Sequence, residues 1–308
     1  ILLVPLFVEN LYKKIMSGIE AKGKAKAFEK LIKTSNAMRK VGIDMRKTLF
    51  KSVHDVFGGE IIKLVCGGAP IRPELAGFFD AVGINLINGY GITECSPLVS
   101  VNRDYYSDYR SVGVSLPCCE VKIDEPNEDG EGEICVKGDV VMMGYYKKPE
   151  ATAEVLSEDG WFRTGDYGRF NDEGQLFITG RKKNLIVLKN GKNVYPEEIE
   201  GYLQNIPYVS EVVVYAVRNE SGEETALCAE IYPNEELLAG KSVEERNTMI
   251  KNAVEELNKT LPSYKKVLKI KLRSTEFEKT TSKKIRRVGL QTEENMASSE
   301  SGSTGKTE

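Results

Sequence analysis

Apolar residues recur at near-helical spacing from residue 9 to about 57, with Leu11, Ile15, Ile19, Phe28, Leu31 and Ile32 on the repeating face. This predicts helices interrupted at Gly18, Gly23 and Gly42. From Ile61 the texture changes to short apolar runs closed by glycine: IIKLVC, the turn GGAP, a helical PELAGFFDAVG, then INLI leading into NGYGITE. Strand, loop, helix, strand is the grammar of a parallel α/β sheet, whose ligands bind at the carboxyl ends of the strands. Both glycine-rich segments are expected there, as loops.

Between about Arg110 and Gly180 the period shortens to that of hairpins. EVKID and GEICVKG flank the acidic turn EPNEDGE, which reads as a solvated turn, and GRF and QLFIT flank NDEG, so an antiparallel sheet or small barrel is expected. After Gly180, RKKNLIVLKNGKNVYPEEIE reads as a strand, an Asn190-Gly191 turn, a short strand and a helix with Pro196 in its first turn. Strands near 210–217 and 225–232, a helix near 243–258 and a strand near 266–272 complete a separate α+β module. The polar end, QTEENMASSESGSTGKTE, is expected to be a disordered tail.

Composition narrows the function. The 308 residues carry 43 Lys and Arg against 46 Asp and Glu, a net charge of -3, and 41% are hydrophobic. That is roughly two domains' worth of core with no overall basic field, so neither a disordered chain nor a nucleic-acid partner is favoured. About a dozen basic residues do lie between residues 9 and 57, read as a solvated helical face with an anionic membrane surface as the alternative. The single histidine, His54 in KSVHDVFGG, is expected to be an ordinary helix residue, which removes most histidine-dependent catalysis and zinc chemistry. Cys66, Cys95, Cys118, Cys119, Cys135 and Cys228 have no paired spacing, so neither a disulfide framework nor structural zinc is predicted, and a reducing cytoplasm is the default. The opening run ILLVPLFV is far short of the roughly 20 residues of a membrane-spanning helix. The sequence starts at Ile1, within what reads as a buried strand, as a piece of a longer protein would.

The tail segment SGSTGKTE imitates a phosphate loop, but Glu300 stands at the first glycine position and the given sequence stops one residue past Thr307. Such a loop needs a strand before it and a helix N-terminus after it to aim several N–H groups at one anion. No phosphate site is expected there.

Five other segments group polar and glycine residues without an evident structural need: GGAP at 67–70, NGYGITE at 88–94, WFRTGD at 161–166, TGRKKN at 179–184 and KTTSKKIRR at 279–287. In order and approximate spacing they resemble the adenylate-forming superfamily of acyl- and aryl-CoA synthetases, adenylation domains and luciferases. The runs VPLFVENLYKKI, GGAPIRPELAGFF, GYGITECSPLVS, VMMGYYKKPEATAEVLSEDGWFRTGD and GRKKNLIVLKNGKNVYPEEIE are similar to bacterial long-chain fatty acyl-CoA synthetases, over residues 4 to about 288. The resemblance implies an α/β fold: the end of a large domain, as an α/β subdomain (1–108) and a β-barrel-like antiparallel subdomain (109–180), then a small mobile α+β domain (181–290) before the tail (291–308).

The implied chemistry has two steps. A fatty acid carboxylate attacks the α-phosphate of ATP to give acyl-AMP, and the thiol of coenzyme A then displaces AMP. The first step brings two anions together, which calls for Mg2+, a lysine and backbone donors. Carried over by motif, Glu94 is the magnesium ligand and Thr93 the hydroxyl donor to the α-phosphate. Asn88, Gly89, Tyr90 and Gly91 pass beside adenine and acyl chain, while Gly68, Ala69 and Pro70 form the turn flanking adenine. Asp166 binds the ribose hydroxyls, Arg181 also reaches the ribose, and Ile178 packs near the base. Lys183 is the hinge, the loop from Lys189 through Gly191 to Asn193 meets coenzyme A, and Lys284 contacts the attacking carboxylate.

Two departures qualify this. The usual Pro-Thr-Gly-Lys is replaced by Thr281, Ser282, Lys283 and Lys284; Lys284 is preferred because Ile285 and Arg287 continue the usual Ile-x-Arg, with Lys283 the alternative. The family's Ser/Thr/Gly-rich phosphate loop lies upstream of the region matched by Ile1, so the chain is expected to be a C-terminal portion and a poor catalyst alone. Alternatives are another acceptor or acid, such as an acyl carrier protein or an aryl acid, or a non-catalytic nucleotide-binding module. Peripheral membrane contact is allowed.

Overall fold

The computed structural model describes residues 1–308 except 70, 105–107, 219–221, 223, 281–284 and 288–308. Pro70, Lys283, Lys284, the tail and its phosphate-loop imitation therefore lie outside the described residues. The chain divides into two compact units, Ile1–Thr179 and Gly180–Glu308.

The first unit opens with β1 (Leu2–Leu3), then α1 (Pro5–Glu20), α2 (Ala25–Lys40), α3 (Arg46–Leu49) and α4 (Lys51–Val56). Pro5 starts α1 because its fixed φ suits a first turn whose N–H needs no partner. β1 is the edge strand of its sheet, with Leu2 78% exposed and Leu3 half-buried. Lys13, Lys14, Lys22, Lys24, Lys26 and Lys30 face solvent, while Phe28, Leu31 and Ile32 pack on the core. His54 is buried in α4, with Nε2 2.8 Å from the Val82 carbonyl.

β2 (Lys63–Cys66), α5 (Pro73–Ala81) and β3 (Asn85–Gly91) form the parallel crossover, with Leu64 opposite Leu86 and Cys66 opposite Asn88. Leu75, Ala76 and Phe79 bury the inner face of α5. β3 then pairs antiparallel with β4 (Leu98–Val101), which pairs with β5 (Val114–Ser115), closing the order β1-β2-β3-β4-β5. Asn88 to Gly91 are thus strand residues and not the loop expected from their glycines. Gly91 is needed because β4 runs so close that a Cβ there would meet the Pro97 carbonyl oxygen at 1.8 Å.

β6 (Cys119–Asp124), β7 (Gly132–Gly138), α6 (Pro149–Val155), β8 (Phe162–Phe170) and β9 (Leu176–Arg181) follow. The four strands make an open sheet in sequence order and among the described residues no barrel closes, so of the two expected forms, antiparallel sheet or small barrel, the sheet holds. Ile134, Val136, Phe162 and Leu176 share a core with Tyr90 and Val99 of the first sheet and with Cys95 between β3 and β4.

In the second unit β10 (Ile186–Val187) and β11 (Asn193–Val194) flank the Asn190-Gly191 turn, where Gly191 takes the left-handed φ of 76° that favours glycine. α7 (Pro196–Gln204), β12 (Val209–Arg218), β13 (Glu224–Pro233), α8 (Val243–Thr260) and β14 (Val267–Leu272) complete it. The sheet order is β12-β13-β14, antiparallel then parallel. Ile199, Leu203, Ile250 and Val254 of the helices bury one face, and Phe277 and Ile285 cover the other. A Ser242–Glu245 capping box starts α8.

Candidate active site

The first unit gathers most of the predicted nucleotide residues at the end of β3. Gly67 and Gly68 follow β2, and a Cβ at Gly67 would lie 3.6 Å from the Gly89 carbonyl, so this turn borders β3 directly. Asn88 is buried, its side-chain N–H bonded to the Ser111 carbonyl at 3.4 Å. Beyond Gly91 a 3-10 turn, Thr93–Cys95, ends on Ser96, whose φ of 55° reverses the chain. This corner leaves Thr93 exposed and Glu94 half-buried.

Two tyrosines hold the two carboxylates. Tyr90 donates its phenol to Oδ2 of Asp166 at 2.8 Å. Asp166 sits on β8 and is 4% exposed, and its backbone N–H donates to Thr164 Oγ1 at 3.1 Å. Burial, reinforced by the Asp166 charge, holds the Tyr90 phenol far above its ordinary range, so it stays a donor. Tyr145, in the loop between β7 and α6, donates to Oε1 of Glu94 at 3.0 Å, and the Met142 N–H donates to the Glu94 carbonyl at 2.8 Å. Burial first, then the bond to Glu94, raises the Tyr145 phenol. The site thus contains a buried carboxylate and a half-buried one, each with one oxygen fixed by a phenol. Ile178 lies in the adjoining core. Burial pushes the neighbouring Cys95 thiol up to about 12, which keeps it protonated and inert.

The second unit carries the remaining described residues. Arg181 and Lys183 are exposed, at and just past the end of β9. Lys189 and Gly191 lie in the β10–β11 turn and Asn193 begins β11, with the Lys189 N–H donating to the Glu224 carbonyl at 3.0 Å. Beside it is a groove of about 370 Å³ lined by Lys189, Asn190, Thr225, Tyr264 and Lys266 among others. Tyr145 and Thr164 were not singled out from sequence. Both lie in runs that carry the resemblance, but only the fold reveals that their hydroxyls touch Glu94 and Asp166.

Comparison with known proteins gives the family. The AMP-binding enzyme profile matches residues 2–146, and the AMP-binding enzyme C-terminal domain profile matches residues 183–295. The chain belongs to the AMP-binding enzymes. A long-chain-fatty-acid–CoA ligase of Escherichia coli is 43% identical over 51% of this chain and 29% of its own length. Long-chain-fatty-acid–CoA ligase 6 of Rattus norvegicus is 35% identical over 69% of this chain and 32% of its own length. The chain therefore spans about a third or less of these relatives. Among solved structures, o-succinylbenzoate CoA synthetase from Bacillus subtilis, in complex with its acyl-adenylate intermediate, aligns with a TM-score of 0.63 and 26% identity over 80% of this chain and 49% of that one. The adenylation and carrier didomain of a carboxylic acid reductase from Segniliparus rugosus shares the fold over 98% of this chain and 41% of its own, with a TM-score of 0.68 at 23% identity.

Proposed function

We propose that this chain is the C-terminal part of an ATP-dependent fatty acyl-CoA ligase, which joins a medium- or long-chain fatty acid to coenzyme A through acyl-AMP. The observation that carries the reading is the Tyr90–Asp166 pair beside the Glu94 corner, on segments matching the AMP-binding profile. A buried carboxylate with one oxygen fixed by a phenol is suited to accept hydrogen bonds from the vicinal hydroxyls of a ribose. The Bacillus subtilis synthetase, solved with ATP and magnesium ion at 26% identity, supports the nucleotide assignment.

Glu94 offers one hard carboxylate, and the described residues hold no group of three or more His, Cys, Asp or Glu around a common point. That donor set fits Mg2+ held jointly with nucleotide phosphates and water. Bound there, magnesium supplies neutralisation of the phosphate charge. Tyr145 fixes the carboxylate that would hold it, and Thr93, exposed at the corner, is available to donate to the α-phosphate. Gly68, Ala69, Asn88, Gly89 and Gly91 form the wall for the base. By its motif Arg181 is assigned to the ribose, and Lys284, or Lys283 in its place, to the attacking carboxylate. The groove beside Lys189, with Lys266 and the Tyr264 ring, suits the phosphorylated nucleotide end of coenzyme A. Rotation about Lys183 would exchange the two half-reactions. The exposed lysines of α1 and α2 suit peripheral contact with an anionic membrane.

The test is thioester formation by mass spectrometry in the protein extended to its relatives' length, with ATP, Mg2+, coenzyme A and acids from acetate to oleate plus aromatic acids. Product peaking among fatty acids is expected. The o-succinylbenzoate and anthranilate CoA ligases among the structural neighbours favour aryl acids as the second reading, which would appear as an aromatic product instead. Acyl-AMP accumulating without thioester would mean another acceptor, and neither product would mean a non-catalytic nucleotide-binding module.

A further inference from the structure

β12 is an outer strand of its sheet, and an open edge leaves N–H and C=O groups for water or another chain. At Val214 both groups are taken by side chains. The Val214 N–H donates to Oε1 of Glu200 at 2.7 Å, and the Val214 carbonyl accepts from Nη1 of Arg287 at 3.4 Å. Nη2 of Arg287 donates to Oε2 of Glu200 at 2.5 Å, so carboxylate and guanidinium together cap the edge as a neighbouring strand would. The guanidinium also lies 3.6 Å from Oε1 of Glu197, which accepts from Nδ2 of Asn184 at 2.5 Å. Asn184 follows the expected hinge residue, Lys183.

The chain before the candidate lysines is fixed as well. Phe277 is buried against the sheet and its N–H donates to Oε2 of Glu211 at 2.9 Å, while Lys279 is ion-paired with Glu211 and Glu276. Lys279 and Ile285 are bridge partners, and the Arg286 N–H donates to the Glu278 carbonyl at 2.8 Å. A buried ion pair is a poor source of stability, because desolvation offsets much of its attraction. Burial lifts the Glu200 carboxyl to about 7 even with Arg287 against it. What the pair supplies is a fixed place for Arg287.

We propose that Arg287 and Glu200 are a positioning pair, fastening the chain after the candidate lysines to the edge of β12 and, through Glu197 and Asn184, to the segment beside the hinge. The described residues flanking the candidate lysines and the hinge-adjacent segment are then held together within the C-terminal unit. The catalytic consequence rests on the lysine assignment given above.

Hydrogen-exchange mass spectrometry on the 308-residue chain tests the pair directly. Arg287→Gln and Glu200→Gln should each speed exchange about tenfold in peptides covering 276–287 and 182–187, with the rest of the unit unchanged and the exposed control Arg286→Gln silent. Should Arg287→Gln not fold, Arg287→Lys, which keeps the charge and loses the fork, is read the same way. No acceleration, acceleration confined to 276–287, or a uniform rise across the unit would overturn the proposal. In the extended protein, Arg287→Lys should slow adenylation about tenfold and leave thioester formation from supplied acyl-adenylate unchanged. The expected exchange pattern with both half-reactions intact would uphold the pair and remove the lysine assignment, so the two readings fail separately.

Discussion

Tyr145 and Tyr90 each fix one motif carboxylate through a single hydroxyl. Replacing Tyr145 with Phe leaves the ring and removes the donor that fixes Glu94. The expected outcome, for roughly 1 kcal/mol of lost hydrogen bonding, is a three- to tenfold higher Mg2+ requirement for nucleotide binding with little change in melting temperature. A Mn2+ titration followed by electron paramagnetic resonance, in the extended protein, checks it. Asp166→Ala should weaken AMP binding about ten- to a hundredfold, as expected for about 1.5–3 kcal/mol from hydrogen bonds to a charged group. Calorimetric titration reads this, and unchanged affinity would remove Asp166 from the site. Neither tyrosine contact was legible in the sequence, because a phenol and its carboxylate lie 51 residues apart in one case and 76 in the other.

Elements carry the next layer. In α5, Phe79 is fully buried between helix and sheet, so Phe79→Ala should cost about 3–5 kcal/mol through lost burial and the cavity left behind. Denaturant unfolding of the first unit measures it. In α7, burial raises the folded-state Glu200 carboxyl from 4.5 to about 7, outweighing the pull of Arg287 and joined by repulsion from Glu197. The native state then binds more protons than the unfolded one between those values. Its contribution to stability is complete below about pH 4.5 and is lost as the pH rises through about 7. Glu200→Gln should flatten this dependence, so that the parent loses stability relative to the variant as the pH rises from about 5 to about 8. Equal pH profiles for the two proteins would contradict this. The elements themselves were largely legible. The 3.6-residue period, the Asn-Gly turn and the Pro-Glu-Glu helix start are local signals, and α7, α8 and β12 to β14 fall close to their predicted spans. The NGYG segment was misjudged because glycine usually marks a turn, whereas Gly91 is there to admit the crossing strand.

At the scale of the whole molecule, the two half-reactions should separate. Lys284→Ala in the extended protein is expected to lower acyl-AMP formation by two or more powers of ten, the order of a lost charge-positioning contact, while sparing thioester formation from supplied acyl-adenylate. Equal loss in both steps, or the same phenotype from Lys283→Ala alone, would move the assignment. The sequence by itself determined the alternation of elements and the membership in the AMP-binding enzymes, because hydrophobic period and short motifs are local properties of the chain. Only the tertiary structure decided that β6 to β9 stay an open sheet, that Tyr90 and Tyr145 hold the two carboxylates, and that Glu200 and Arg287 close the edge of β12. Those are meetings of residues far apart in sequence, made by packing that no local pattern encodes.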